Sequence, residues 1–125
     1  MYIQFNANPK KRKVGDCVIR AISTVTHKSW EQVYSELVSK GFAMYDMPTS
    51  NEVWKSYLND LGFDRYIIPN TCPDCYTVKD FCYDYPIGEY ILGTGSHAIA
   101  VIDGSYYDTW DSGEETPIYY FRRRD

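Results

Sequence analysis

The spacing of the apolar residues changes at Gly88, and that change restricts the chain to helices first and a sheet second. Val18, Ala21, Ile22 and Val25 follow the i, i+3, i+4, i+7 rule of a buried helix, so Gly15 and Asp16 open a helix with Cys17 in its first turn. Ser29, with Gln32 three residues on, has the form of a capping box. It starts a second helix that buries Trp30, Val33 and Leu37 and is expected to stop at Gly41. A third helix fits 50–61, with Val53, Trp54, Tyr57, Leu58 and Leu61 inward and Gly62 as its stop. A short helix follows Thr77, where Asp80 completes a weaker capping pattern. After Gly88 the repeat is that of strands over 89–92, 97–102, 105–110 and 118–122. Asp103-Gly104 between two of them is a strong signal for a two-residue hairpin turn. Residues 1–5 and 63–68 also read as short strands, and 6–13 as a polar, basic loop. The order predicts an α+β domain, N-terminal helices packed on a C-terminal antiparallel sheet.

A chain of 125 residues suits one domain, here 1–125, with a core that is stable without staples. The net charge of −4 gives no global pull toward nucleic acid, so no nucleic-acid partner is expected. No apolar run approaches the roughly 20 residues of a spanning helix, so no membrane partner is expected either. The N-terminus has no apolar stretch ahead of a cleavage site, which argues against a signal peptide. A cytoplasmic protein with reduced thiols is the expectation for the four cysteines. The 13 Tyr bring apolar faces with polar tips, suited to a groove or a partner surface.

The segment Gly15-Asp16-Cys17-Val18-Ile19-Arg20-Ala21 puts a thiol at a helix N-terminus. Unpaired N–H groups and the positive dipole end favour thiolate there, the form that attacks an acyl carbon. The same N–H groups suit an oxyanion. Cys17 as a small buried hydrophobe is the competing reading. His97 follows the Gly93-Thr94-Gly95-Ser96 loop, which leaves room for a substrate backbone, and begins an apolar strand. A two-residue turn at Asp103-Gly104 pairs Ile102 with Ser105, Ile99 with Asp108 and His97 with Trp110. Asp108 then shares a sheet face with His97 at the diagonal position, about 7–8 Å away by Cβ. A carboxylate there can accept the His Nδ1–H and support an imidazolium. Asp111 falls on the other face, and a three-residue turn would exchange the two. Trp110, opposite His97, is positioned to shield the pair from water.

These residues resemble a known family. Gly15-Asp16-Cys17 with Ala21 and Ser23 behind it is similar to the nucleophile segment of papain-like cysteine peptidases. His97-Ala98-Ile99-Ala100-Val101 resembles their His-Ala-Val strand, and Asp108-Thr109-Trp110 their Asn-Ser-Trp motif, with Asp in place of Asn. The nucleophile segment is also similar to that of the ovarian-tumour-type deubiquitinases. The resemblance covers about one quarter of the chain. It implies a papain-like fold and a cysteine peptidase acting on a peptide or protein, with Cys17 as nucleophile, His97 as base and Asp108 as orienting acid, and no cofactor or metal. Where the family carries an oxyanion Gln, this chain has Lys11; Asn8 is the nearest amide on that loop and takes the expected role. Asp16, Ser96 and Trp110 complete the expected oxyanion and substrate-binding set. A transglutaminase-like acyl transferase and a non-catalytic binder on the same scaffold are the alternatives.

Other signals carry less. Pro9-Lys10-Lys11-Arg12-Lys13-Val14 has the form of a nuclear localisation signal, but the short motif is common and Val14 and Gly15 look committed to the helix start, so a solvated loop is the preferred reading. Beside the site its cations would favour an acidic substrate segment. Cys72-Pro73-Asp74-Cys75 with Cys82 offers three thiolates and no fourth ligand, so free structural thiols are expected over zinc. Arg122-Arg123-Arg124 reads as a solvated strand end, and His27 suits the negative end of the first helix.

Overall fold

The structure, a computed structural model, describes residues 1–124. In chain order the elements are β1 (Tyr2–Gln4), α1 (Cys17–Thr26), α2 (Trp30–Met44), α3 (Asn51–Asp60), β2 (Phe63–Ile67), α4 (Val78–Asp84), β3 (Glu89–Gly93), β4 (Ala98–Ile102), β5 (Ser105–Asp108) and β6 (Tyr119–Arg123). They make an α+β fold with one six-stranded sheet in the order β1-β5-β4-β3-β6-β2.

Successive side chains of a strand point to opposite faces, and here both faces are covered. Ile91, Ala98, Ala100, Tyr119 and Phe121 join Ile22, Leu37 and Leu58 of the first three helices in one core. Tyr90, Leu92, Ile99 and Val101 join Val78 and Phe81 of α4 in the other. This two-sided burial explains the continuous apolar run of β4, which an antiparallel sheet with one wet face would lack. Ala98 and Ala100 are the β4 residues facing α1. Small side chains there let the helix settle low on the strand, so its first residue reaches the start of β4.

The sheet differs from expectation in one respect: it is mixed, and its two edges come from the N-terminal half. β2 pairs antiparallel with β6, whereas β1 runs parallel to β5, with Ile3 opposite Tyr107. Edge pairing is a long-range choice between strands that look alike locally, so periodicity does not specify it. The central hairpin has the expected register, Ile102 opposite Ser105 and Ala100 opposite Tyr107. Asp103 and Gly104 both have positive φ, 49° and 76°, as a type I′ turn requires.

Two local expectations need correction. α2 does not stop at Gly41 but runs on to Met44, with Tyr45 left-handed at its C-cap. A Cβ on Gly41 would lie 2.7 Å from the Asp46 carbonyl oxygen, so the glycine permits the chain to fold back over the helix rather than ending it. Cys72 and Cys75 are not free thiols; they form a disulfide with Cα atoms 4.1 Å apart. The turn around Pro73 brings the two Cα atoms within bridging reach, which the three-residue spacing alone leaves open. Cys82 is a separate buried free thiol in the α4 core. Among the described residues, no helix is long and apolar enough to cross a membrane.

Ile91 has no exposed surface in the core between the sheet and the first three helices. Ile91→Ala is expected to cost about 2–5 kcal/mol, read as a lower urea midpoint at unchanged slope. Phe42→Ala, at an 84% exposed position, is expected to stay within about 0.5 kcal/mol.

Candidate active site

Asp16 holds the N-cap position of α1, yet its side chain makes no capping bond. Its buried carboxylate turns inward, accepting from Arg20 Nε at 2.8 Å, Trp30 Nε1 at 3.0 Å and Asn8 Nδ2 at 3.2 Å. Arg20 Nη1 continues this network to Asp108 Oδ1 and Thr109 Oγ1, both at 3.3 Å. The first turn of α1 therefore presents its backbone N–H groups at Cys17 without a side-chain cap.

His97 lies just before β4 and joins Cys17 to Asp108. Its Nε2 is 2.6 Å from Asp108 Oδ2, and the ring lines the same cavity wall as Cys17, close enough to lower the thiol's pKa. The ring orientation is the reverse of the one expected: Nε2, not Nδ1, faces the carboxylate. The Asp108 carboxylate, 2% exposed, also accepts from Ser112 Oγ at 2.7 Å and the Thr109 N–H at 2.8 Å. Asp111 lies outside this cluster and accepts from the Tyr106 hydroxyl and the Gly113 N–H.

The electrostatics follow from these contacts. Burial pushes the Cys17 thiol up, but the hydrogen bonds from His97 and the Ala98 N–H, with the positive charges of His97 and Arg20, outweigh it and lower the thiol's pKa. Burial pushes His97 down, but the bonds to Asp108 and Cys17 prevail and raise its pKa to about 9. Burial opposes ionisation of Asp108 too, yet its bonds from His97 and Ser112 hold it below the usual carboxylate value. These contacts bias the pair toward thiolate and imidazolium, backed by a carboxylate.

A cavity of about 500 Å³ opens over Cys17 and His97, with Arg12, Lys13, Ser96 and Trp110 on its walls. Trp110 lies 5.1 Å from the His97 ring, tilted by 31°, and is 46% exposed, so it covers one side of the imidazole. The Gly95 turn, at φ +96°, holds Ser96 at the rim. Two residues expected at an oxyanion instead serve as scaffold. Asn8 donates to Asp16 and accepts from the Lys10 N–H at 2.9 Å, and does not line the cavity. Asp16 reaches the wall, but its oxygens are bound by the inward network. An acceptor-only carboxylate engaged in this way has nothing to offer an oxyanion.

No family model, curated protein or solved structure matches this chain. The site rests on its own geometry. Sequence reasoning does not find Arg20 or Ser112. Arg20 leaves a faint signal, i+3 from Cys17 and i+4 from Asp16 on one helix face. Ser112 leaves none, since only the turn after β5 brings it to Asp108. Among the described residues, no three His, Cys, Asp or Glu side chains gather as metal ligands. His27 is 76% exposed and faces Glu89 at 3.4 Å, apart from the Cys17 cluster.

Cys17 is expected to alkylate faster than Cys82 at pH 7, with a midpoint below that of an ordinary thiol; burial raises the pKa of Cys82. Rates against pH by peptide mass spectrometry check this. Arg20→Ala leaves two buried carboxylates short of a cation, at an expected cost of about 3–5 kcal/mol. Lysine lacks the fork that spans Asp16 and Asp108, so Arg20→Lys should recover stability only in part.

Proposed function

We propose that this protein is a papain-like cysteine hydrolase, a peptidase acting on amide bonds through a thioester acyl-enzyme. One observation supports this most: a single imidazole hydrogen-bonds a buried carboxylate and lies beside a thiol at an uncapped helix N-terminus, on one cavity wall. A structural cysteine needs neither partner.

In the proposed reaction the Cys17 thiolate attacks the substrate carbonyl carbon and forms a C–S bond. The carbonyl oxygen takes the negative charge, stabilised by the backbone N–H groups at the start of α1. The His97 imidazolium then donates its proton to the leaving nitrogen, and the C–N bond breaks. Asp108 holds the ring and supports its charge up to that step. Neutral His97 next takes a proton from water, whose oxygen attacks the thioester. The C–S bond breaks, the acid leaves, and the thiolate–imidazolium pair is restored.

A binding role on the same scaffold is favoured by one observation: the Asn8 amide is held by Asp16, so the oxyanion would rely on backbone donors alone. The two readings separate on Cys17→Ala. Loss of turnover with it supports hydrolysis; an unchanged biological effect supports binding.

For a hydrolase, activity needs thiolate and imidazolium together. The rate should rise with pH as Cys17 ionises and fall as pH passes about 9, where His97 loses its proton. Asp108 raises the His97 pKa, so Asp108→Ala should move the alkaline limb down and cut kcat by about 10²-fold or more. Asp108→Asn keeps an acceptor oxygen and should lose less. Asp111→Ala should cost far less than either, and the reverse ranking would remove Asp108 from its role. Steady-state kinetics from pH 4 to about 10.5 on a casein-derived peptide pool is the measurement.

A further inference from the structure

The wall of the cleft is basic, and its basic residues are fixed in place. Lys11 has a left-handed backbone, φ 53°, and donates its N–H to the Asn8 carbonyl at 2.9 Å. Its ammonium turns back to the Asn6 carbonyl at 2.8 Å and lies 5.8 Å from the Phe5 ring centre. Asn6 Nδ2 donates to the Arg12 carbonyl at 3.3 Å, and Asn8 is locked to Asp16. The loop is therefore held onto the α1 entrance rather than hanging in solvent. Arg12 and Lys13 lie on the cavity wall, exposed, and among the described residues neither side chain has an ion-pair or hydrogen-bond partner.

The charges deeper in the site nearly cancel. Asp16 and Asp108 carry two negative charges and Arg20 one positive charge, while Cys17 and His97, sharing one proton, are neutral as a pair whichever of them holds it. That balance is −1, and Arg12 with Lys13 turns it to +1 at the mouth. Asp16 and Asp108 are 3% and 2% exposed, so no carboxylate of the wall faces the opening. A low-dielectric cleft with unpaired cations at its rim concentrates anions.

We infer that the cleft selects a peptide segment carrying Asp or Glu side chains beside the bond to be cleaved, with Arg12 and Lys13 as the specificity-determining residues. This rests on the hydrolase reading for the cleavage step and on the wall alone for the selection. A peptide is favoured over a polyphosphate chain because the protein carries a net −4 overall, and the cationic wall is short. The exposed indole of Trp110 on the same wall suits a peptide backbone passing over His97.

The test uses the full-length protein and two small probes. Iodoacetate and iodoacetamide alkylate the same thiolate, so the ratio of their rates at Cys17 cancels its ionised fraction and reports the local charge. Arg12→Gln/Lys13→Gln should lower that ratio about threefold at low salt, an effect that fades above about 0.3 M as charges are screened. Lys10→Gln/Lys55→Gln removes the same charge away from the wall and should leave the ratio unchanged. A Glu-rich octapeptide should protect Cys17 from iodoacetamide better than its Gln counterpart. Peptides cleaved from a randomised octapeptide library should be enriched in Asp and Glu, and the enrichment should disappear in Arg12→Gln/Lys13→Gln.

An unchanged ratio in that variant, or cleaved peptides without acidic enrichment, overturns the inference. Equal or better protection by an oligodeoxythymidylate of the same charge overturns the assignment to a peptide. If no library peptide is cleaved, the hydrolase reading fails, and the selection is decided by the alkylation ratio and the protection assay alone.

Discussion

The Asp108 carboxylate ties α1 to the sheet, and the arrangement of the site depends on it. Its four donors come from separate parts of the chain: Arg20 on α1, His97 before β4, and Thr109 and Ser112 after β5. A buried carboxylate is costly unless hydrogen bonds replace its water, and these do so. Among the described residues no buried side-chain nitrogen or oxygen lacks a partner, so the network is complete. Removing any one donor leaves a charge under-solvated and frees an element the site needs fixed.

This arrangement also sets the chemistry available to the thiol. A helix N-terminus by itself lowers a thiol's pKa only modestly, and burial works against it. The imidazole overcomes burial because Asp108 has already raised its affinity for a proton. Asp16 contributes indirectly. By turning inward to Arg20 and Trp30 it leaves the helix's first N–H groups free at the thiol instead of capping them. The cap's stabilisation, about 1 kcal/mol in an ordinary helix, is given up where an oxyanion would need those donors.

Most elements could be read from the chain because local physics fixes them. The helices follow from the i, i+3, i+4 spacing of residues such as Val18, Ile22 and Val25, and from the caps at Ser29, where the hydroxyl accepts from the Gln32 N–H but the Gln32 side chain turns to Glu36, and at Thr77, where the full box with Asp80 forms. The β4–β5 register follows from the Asp103-Gly104 turn, and with it the choice of Asp108 over Asp111. Gly41 misled because a glycine near a helix end usually stops the helix, whereas here it makes room for a distant carbonyl. Cys72 and Cys75 misled because spacing does not report whether two Cα atoms approach closely enough to bridge.

The sequence by itself determined the helices, the central hairpin and the places of Cys17 at a helix start and of His97 and Asp108 on adjoining strands, because each depends on neighbours within a few residues or across one tight turn. The tertiary structure decided how they meet: which imidazole nitrogen faces the acid, that the Asn8 amide and the Asp16 carboxylate are engaged with each other rather than offered to the cavity, and that Arg20 and Ser112 complete the carboxylate's shell. It also decided that β1 runs parallel to β5 at one edge. These contacts join residues far apart in the chain, 88 residues in the case of Arg20 and Asp108. No periodicity or short motif encodes a contact of that kind. It exists only after the apolar faces of α1 and β4 have packed and brought the polar groups within reach.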